Sequence, residues 1–117
     1  MTIPELTLIP LPDRKWRVRD EFCLQTLAMG RICIKAGFVC DLNSMPRFLW
    51  WASTPTDYPE AGATHDFLYD QQAPRDAADA VYLEILLALG MSSARAHARY
   101  RALRLFGGFA YRSHAKK

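Results

Sequence analysis

DYPEAGATHDFLYDQQAPRDAADAVYLEILLALG, the sequence of residues 57–90, predicts two helices joined by a tight turn. Asp57 is followed by a proline and a glutamate within three residues, an order typical of a capped helix start. A second helix is expected from Pro74 to Gly90, since proline favours a first turn and glycine favours a helix end. Between these two residues the apolar side chains recur with helical spacing, which indicates a buried face. This stretch therefore predicts an antiparallel helical hairpin with its turn at residues 72–73.

The sequence on either side of the hairpin completes the predicted fold. Residues 1–41 are mainly strands, because short runs of alternating apolar and polar side chains are separated by turn residues. The connections are too short for parallel crossovers, so the strands should form an antiparallel meander. A short helix is expected at 44–52, and the third long helix should begin at Ser92 or Ser93. The predicted class is α+β: an N-terminal antiparallel β-meander, a short helix, and a three-helix C-terminal layer at 57–107.

Length and composition predict a single domain spanning residues 1–117. A chain of this size is too short for two ordinary hydrophobic cores. No apolar run approaches the roughly 20 residues that span a bilayer. The first residues, MTIPE, lack the basic start and apolar stretch of a signal peptide. We therefore expect no transmembrane segment and a cytoplasmic protein.

The three cysteines, Cys23, Cys33 and Cys40, indicate neither a disulfide framework nor a zinc site. Their number is odd, and they lack the paired spacing of metal-binding cysteines. Each lies in an apolar stretch, where a cysteine typically behaves as a small buried hydrophobic residue. We therefore expect three reduced, buried side chains.

Charge is distributed unevenly along the chain, although the net charge is only +3. Residues 57–84 contain seven acids and one base, Arg75, which is most simply an exposed residue in the first turn of its helix. No acid follows Glu84, whereas seven bases do: Arg95, Arg99, Arg101, Arg104, Arg112, Lys116 and Lys117. Two interpretations remain open. The basic helix binds an anionic partner, such as nucleic acid, phospholipid or an acidic protein surface, or it packs beside the acidic helix.

The strongest candidate for chemistry is His65, which the hairpin should place opposite Asp79. Residues at equal distances from the turn meet across antiparallel helices. A carboxylate that accepts the Nδ1 proton of an imidazole leaves Nε2 as a general base. Asp66, the next residue, points about 100° around the helix and is suited to hold a hard cation through its oxygens. The competing interpretation is a buried His–Asp pair that locks two helices together without catalysis.

The segment HDFLY, which begins at His65, resembles the H-D-x-x-Y helix motif of the secreted phospholipase A-two superfamily, including its disulfide-free viral members. The resemblance implies that His65 is the water-activating base and Asp66 a calcium ligand. It further implies that Tyr69 is a supporting phenol and that Asp79 is the carboxylate that orients the histidine. A glycine-rich calcium loop of the family type is missing, and the nearest upstream loop is at 37–44.

Four motifs, taken in order, resemble a family of small phage and prophage proteins without an established activity. The pattern of that family is approximately G-F-x-x-D-x-x-S-x-P-R, then H-D-x-L-Y, then R-x-x-A-D, then a basic helix with R-x-x-G. In this chain the motifs are GFVCDLNSMPR at 37–47, HDFLY at 65–69, RDAAD at 75–79 and RLFG at 104–107. The resemblance implies a phage or prophage source, with a location in the host cytoplasm or in the virion.

The first of these motifs adds three candidates at a point where a strand leads into a helix, a frequent position of active sites. Asp41 is either a second cation ligand or an acid that accepts hydrogen bonds from loop amides. Ser44 is either a helix cap or a nucleophile. Arg47 is suited to clamp a phosphate or carboxylate, or to pair with Asp41 or Asp66.

Together these residues predict a phage or prophage protein with a His–Asp hydrolase site that acts on a phospholipid or another ester or amide. Calcium or another divalent cation is the expected cofactor. The alternative is a non-catalytic virion or assembly component, or a modulator of a host protein. Such a protein would bind its partner through the 95–104 face or through Trp50 and Trp51. Nucleic acid is the weaker partner, because the third helix lacks a recognisable turn-helix pattern.

Overall fold

Strands precede helices along the chain in the computed structural model, which describes residues 3–12, 15–40 and 58–115. Its strands are β1 (Leu8–Leu11), β2 (Lys15–Val18), β3 (Phe22–Thr26), β4 (Gly30–Ile34) and β5 (Val39–Cys40). Its helices are α1 (Pro59–Asp70), α2 (Arg75–Ala88) and α3 (Ser93–Ala115). This order confirms the predicted α+β class. The short helix predicted at 44–52 lies outside the described residues.

The strands of the described ranges pair antiparallel and form two sheets. β1, β2 and β5 form the first sheet, in which Leu8 is opposite Val18 and Trp16 is opposite Cys40. β3 and β4 form the second sheet as a hairpin. Gly37, at φ +95°, lies in the turn between β4 and β5, a conformation that glycine adopts readily. Because of this turn, β5 returns to β2 instead of extending β4.

The hairpin of β3 and β4 supplies one wall of the hydrophobic core. Phe22 and Leu24 on β3 are buried, as are Ile32 and Ile34 on β4. These positions alternate along their strands, so they lie on one face of the small sheet. Val18 of β2 and Met91 belong to the same core. The helices contribute most of its remaining residues, chiefly Leu68, Tyr69, Ala78, Val81, Ile85, Leu86, Ala96 and Leu103.

Glu84 on α2 fastens the hairpin turn to the helices. Its carboxylate oxygens accept hydrogen bonds from the backbone N–H groups of Leu27, at 2.7 Å, and Ala28, at 3.0 Å. Within the turn, the Thr26 hydroxyl donates to the Gly30 carbonyl oxygen at 2.9 Å. Hydrogen bonds to a carboxylate are stronger than those to a neutral acceptor. A single side chain of α2 therefore helps to orient the small sheet.

The helices begin and end near their predicted bounds, except for α3. α1 begins at Pro59 and α2 begins directly after Pro74, as the prolines indicate. Gln72, at φ +53°, lies in the turn between them. α3 continues past Gly107 and Gly108, where the sequence had predicted its end. None of the described helices combines the length and apolar character that crossing a membrane requires.

A disulfide joins Cys23 and Cys33, which corrects the expectation of three reduced cysteines. The two residues lie directly opposite each other on β3 and β4, so the antiparallel register brings their side chains together. Cys40 is buried and takes no part in this bond. The pairing depends on strand register, which cannot be deduced from the number of cysteines.

The disulfide predicts the number of reactive thiols. The protein, purified without reductant and then denatured, should react with a thiol reagent once per chain, at Cys40, and three times after reduction. Because the bond closes a short loop, reduction should also lower the free energy of unfolding by about 2–3 kcal/mol. The Cys40→Ser variant is the control and should give no reaction before reduction. Three reactive thiols in the unreduced protein would show that the disulfide does not form.

Candidate functional site

His65 on α1 and Asp79 on α2 meet across the helical hairpin. The Nε2 atom of His65 is 2.7 Å from Oδ1 of Asp79, within hydrogen-bonding distance. The two side chains are 1% and 0% exposed, so water is excluded from the contact. The nitrogen differs from the predicted one, since Nε2 rather than Nδ1 contacts the carboxylate. The imidazole is therefore turned so that Nδ1 faces away from Asp79.

Side chains from α1, α2 and α3 converge on the Asp79 carboxylate. The Tyr69 hydroxyl of α1 donates to Oδ1 at 2.6 Å, the same oxygen that His65 contacts. Arg104 of α3 donates from Nη1 to Oδ2 at 2.9 Å. Arg75, one turn before Asp79 on α2, places Nε 3.8 Å from Oδ2. These groups together compensate the burial of one negative charge.

Arg75 connects α2 to α3, which corrects its interpretation as an exposed first-turn residue. Its Nη2 donates to the backbone carbonyl oxygens of Leu103, at 2.7 Å, and Arg104, at 2.8 Å. Its Nε donates to the hydroxyl oxygen of Tyr69 at 3.3 Å. One guanidinium group therefore binds the backbone of α3 and the phenol that bonds to Asp79.

Hydrogen bonding outweighs burial in setting the ionisation of Asp79. Burial alone would raise the pKa of this carboxyl, but the hydrogen bonds from His65, Tyr69 and Arg104 lower the pKa below the ordinary value of 3.8. Asp79 is therefore ionised at neutral pH. Burial raises the pKa of Tyr69, and its hydrogen bond to Asp79 raises it further, so the phenol stays protonated and remains a donor.

Gly107 allows α3 to approach this network closely. A Cβ atom at this position would lie 2.8 Å from the Tyr69 hydroxyl and 3.3 Å from Nη2 of Arg75. Gly107 is itself buried within the long helix. The RLFG motif of α3 thus contributes two things to the site, a cation from Arg104 and the space that Gly107 leaves. Close packing explains why the helix carries a glycine here without ending.

Aromatic rings enclose His65. The centroid of the imidazole is 4.1 Å from that of Tyr69 and 5.3 Å from that of Tyr82. With 1% of the residue exposed, the ring has no broad opening to solvent. This enclosure holds the imidazole in one orientation, which suits both a positioned base and a residue that locks helices.

The described residues do not make up a complete calcium site. Asp66, the predicted ligand, is 1% exposed and follows His65 on α1. In the described ranges, no group of three or more His, Cys, Asp or Glu side chains is close enough to hold a metal ion. Calcium typically takes about 6–8 oxygen ligands. Several predicted residues lie outside the described ranges: Asp41, Ser44, Arg47, Trp50, Trp51 and Asp57.

Three residues at the Asp79 centre were not among the predicted site residues: Arg75, Arg104 and Gly107. A signal for them was present in the sequence, because Arg75 belongs to the RDAAD motif and the other two to RLFG. Both motifs meet the HDFLY motif at Asp79. Motifs that recur together in one pattern often lie close together in the fold. On that basis Arg75, Arg104 and Gly107 could have been predicted to lie near His65 and Asp79. The contact of Arg104 with Asp79 also favours the interpretation that the basic helix packs beside the acidic one.

A family model described as "Protein of unknown function (DUF1353)" matches residues 16–103. The match extends from β2 into α3 and contains His65, Tyr69, Arg75 and Asp79. No curated protein matches the chain significantly, and no solved structure does.

Gly107→Ala should destabilise the protein, although alanine normally favours a helix. The added methyl group would clash with the buried Tyr69 hydroxyl and disturb Arg75, so the free energy of unfolding should fall by about 1–3 kcal/mol. Gly108→Ala is the matched control, because the nearest atom to its methyl group is Nη1 of the exposed Arg112, at 3.3 Å. That variant should be unchanged or up to about 1 kcal/mol more stable. Equal effects in urea denaturation would contradict the close approach at Gly107.

Asp79→Asn should destabilise the protein in a pH-dependent manner. At neutral pH the loss should be about 3 kcal/mol, because a buried ionic contact is broken. The lowered pKa of Asp79 means that its charge stabilises the wild type fully above about pH 3.8, the unfolded-state value, and that this contribution is lost as pH falls toward the folded-state value. The difference in the free energy of unfolding between the wild type and Asp79→Asn should therefore become smaller below that pH.

Urea denaturation over a pH series measures this difference. Asp76→Asn is the control, since it changes an exposed acid in the first turn of the same helix and should cost less than about 1 kcal/mol. If the difference in the free energy of unfolding between Asp79→Asn and the wild type stays constant below pH 3.8, the charge of Asp79 is not what stabilises the fold.

Proposed function

Because the chain belongs to the DUF1353 family, whose description assigns no function, we propose a function from its site: hydrolysis of an ester or amide with His65 as the general base. The observation that carries this proposal is the 2.7 Å contact between His65 Nε2 and Asp79 Oδ1. A buried carboxylate that fixes an imidazole is the arrangement by which many enzymes position a base.

The ionised state of Asp79 determines which nitrogen acts. An ionised carboxylate is only an acceptor, so Nε2 of His65 carries the proton and donates it to Asp79. In the neutral ring, Nδ1 then holds the lone pair. We propose that Nδ1, not Nε2, takes a proton from the attacking water as its oxygen bonds to the carbonyl carbon. The same nitrogen then returns the proton to the departing alcohol or amine.

Asp79 and its partners have a supporting role in this scheme. The negative charge of Asp79 stabilises the positively charged imidazole that forms when Nδ1 takes the proton. Tyr69 and Arg104 hold the carboxylate from its two oxygens, so its direction toward His65 is fixed. Tyr69 and Asp79 are thus positioning residues, and His65 is the residue that would take the proton from water.

Phospholipid is the proposed substrate class, and a phage or prophage is the proposed source. The first rests on the resemblance of HDFLY to the phospholipase motif, and the second on the four ordered motifs. A protein of this origin would act in the host cytoplasm or as part of a virion. Arg47 would contact the substrate phosphate, and Ser44, three residues before it in the sequence, is the second proposed substrate contact.

Calcium or another divalent cation is a separate part of the proposal, with Asp66 and Asp41 as its ligands. The proposed proton transfers do not pass through this cation, because the described residues alone do not complete a calcium shell. Binding is measured without turnover. Calcium chloride should raise the melting temperature of the wild type but not of Asp66→Asn, and magnesium chloride is the comparison.

A second candidate is a non-catalytic protein, either a virion or assembly component or a modulator of a host protein. The observation that favours it is the burial of His65 at 1% exposure, together with the contacts that join three helices at Asp79. Holding the helices together would by itself explain such a network, without catalysis. In this case the protein acts through its surface.

The variant His65→Gln separates these two candidates. A glutamine amide nitrogen takes the place of Nε2 and preserves the donor to Asp79, but no base remains at the position of Nδ1. Hydrolysis should therefore fall by about a hundredfold or more, while the melting temperature changes by a few degrees at most. Substrates are phosphatidylglycerol and phosphatidylcholine in mixed micelles and soluble nitrophenyl esters and amides, each with calcium or with a chelator.

His97→Gln is the control, because it changes an exposed histidine on α3. It should leave turnover and stability unchanged. Hydrolysis is ruled out for these substrate classes if the wild type shows none, or if His65→Gln keeps its rate. A folded but inactive wild type whose partner binding survives His65→Gln would establish the second candidate.

A further inference from the structure

The outward side of α3 carries apolar and basic side chains together. Leu105 and Phe109 are one turn apart and are 76% and 75% exposed. Arg101 lies one turn before Leu105, and Arg112 lies three residues after Phe109; both are exposed. Residues three and four apart on a helix share a face. These four residues form the outer face of α3.

The outer face is separate from the Asp79 centre. Leu103 and Gly107, on the opposite side of α3, are buried, and Arg104 turns toward Asp79. Folding therefore uses one side of the helix and leaves Leu105 and Phe109 in solvent. Large apolar side chains grouped on a surface typically mark an interaction site.

The charge of the outer face is positive, and no acid of α3 offsets it. No acid follows Glu84 in the sequence, so α3 contains none. Two of its arginines are engaged inside the fold, Arg104 with Asp79 and Arg99 over the Tyr82 ring, 5.7 Å from its centroid. No ion pair within the described residues involves the arginines of the outer face. An anionic surface is therefore its electrostatic complement.

We propose that the outer face of α3 binds the surface of an anionic phospholipid bilayer, with the helix lying in the plane of the interface. Leu105 and Phe109 would enter the boundary between headgroups and acyl chains. Arg101 and Arg112 would reach the lipid phosphates, since long basic side chains lie along an apolar surface and extend their charge to its edge. The inference goes beyond the proposed hydrolysis and does not rest on it.

The pattern favours a bilayer over other anionic partners. A protein groove that binds a helix typically takes apolar anchors over more than two turns. Here one apolar pair is bounded by a cation at each end, so apolar burial and attraction to anionic lipid act on the same short surface. Single-stranded nucleic acid stacks successive bases on several aromatic rings, whereas this face carries one ring, Phe109.

Co-sedimentation of the full chain with vesicles tests the proposal. The protein should bind vesicles made of equal parts phosphatidylcholine and phosphatidylglycerol, and should bind phosphatidylcholine alone at least about tenfold more weakly, because each arginine near an anionic surface contributes about fivefold. Leu105→Ser combined with Phe109→Ser should weaken binding by about tenfold or more. Arg101→Gln combined with Arg112→Gln should weaken it similarly, and added salt should reproduce that effect.

Two controls match these variants elsewhere on the surface. Leu27→Ser removes an apolar side chain that is 95% exposed in the turn between β3 and β4. Arg17→Gln combined with Arg31→Gln removes two exposed charges from the strands. Both controls should keep wild-type binding, and all variants should keep the wild-type melting temperature, because the changed residues are exposed.

Several results would overturn the proposal. One is equal binding to both kinds of vesicle, and another is an equal loss in the control variants. A third is a dimer in light scattering that the Leu105→Ser and Phe109→Ser changes convert to a monomer, which would assign the face to a second copy of the chain. Tighter, salt-sensitive binding to short DNA than to anionic vesicles would assign it to nucleic acid. Loss of hydrolysis in His65→Gln has no bearing on these results.

Discussion

The buried negative charge of Asp79 is the constraint on which the helical part of this protein depends. Removing a carboxylate from water has an effective cost on the order of several kcal/mol, even after the protein relaxes, unless other groups compensate the charge. The compensation comes from each of the described helices: His65 and Tyr69 on α1, Arg75 on α2 and Arg104 on α3. The helices cannot shift relative to one another without leaving part of this charge unpaired.

Small residues make these contacts geometrically possible. Gly107 brings α3 close enough for Arg75 to reach its backbone carbonyls, and Ala61, Ala78 and Ala96 are fully buried in the core between the helices. Short side chains allow helix backbones to approach, so that a histidine and an aspartate on neighbouring helices are within hydrogen-bonding distance. The apolar packing and the polar network are therefore parts of one arrangement. Glu84 extends it to the small sheet through the hairpin turn.

The contacts at Asp79 are compatible with either of the two functions proposed for the site. A network that holds α1, α2 and α3 together also holds one imidazole in one orientation, with its Nε2 directed at the Asp79 carboxylate. Nε2 contacts Asp79 in both cases. A catalytic site therefore differs from a structural one in whether Nδ1 exchanges a proton with water and substrate. The two sides of α3 have different surroundings. Its inner side completes the Asp79 centre, and its outer side carries exposed Leu105 and Phe109.

The sequence by itself determined the class of fold, the helical hairpin and the pairing of His65 with Asp79, because helical periodicity and the position of a tight turn are local properties. Three outcomes depended on tertiary structure. The disulfide between Cys23 and Cys33 follows from strand register, and the use of Nε2 follows from the direction in which the ring packs. The glycines of α3 were predicted to end a helix, yet they permit close contact inside it. Residue type and spacing do not contain these distances, since they arise only when distant segments pack together.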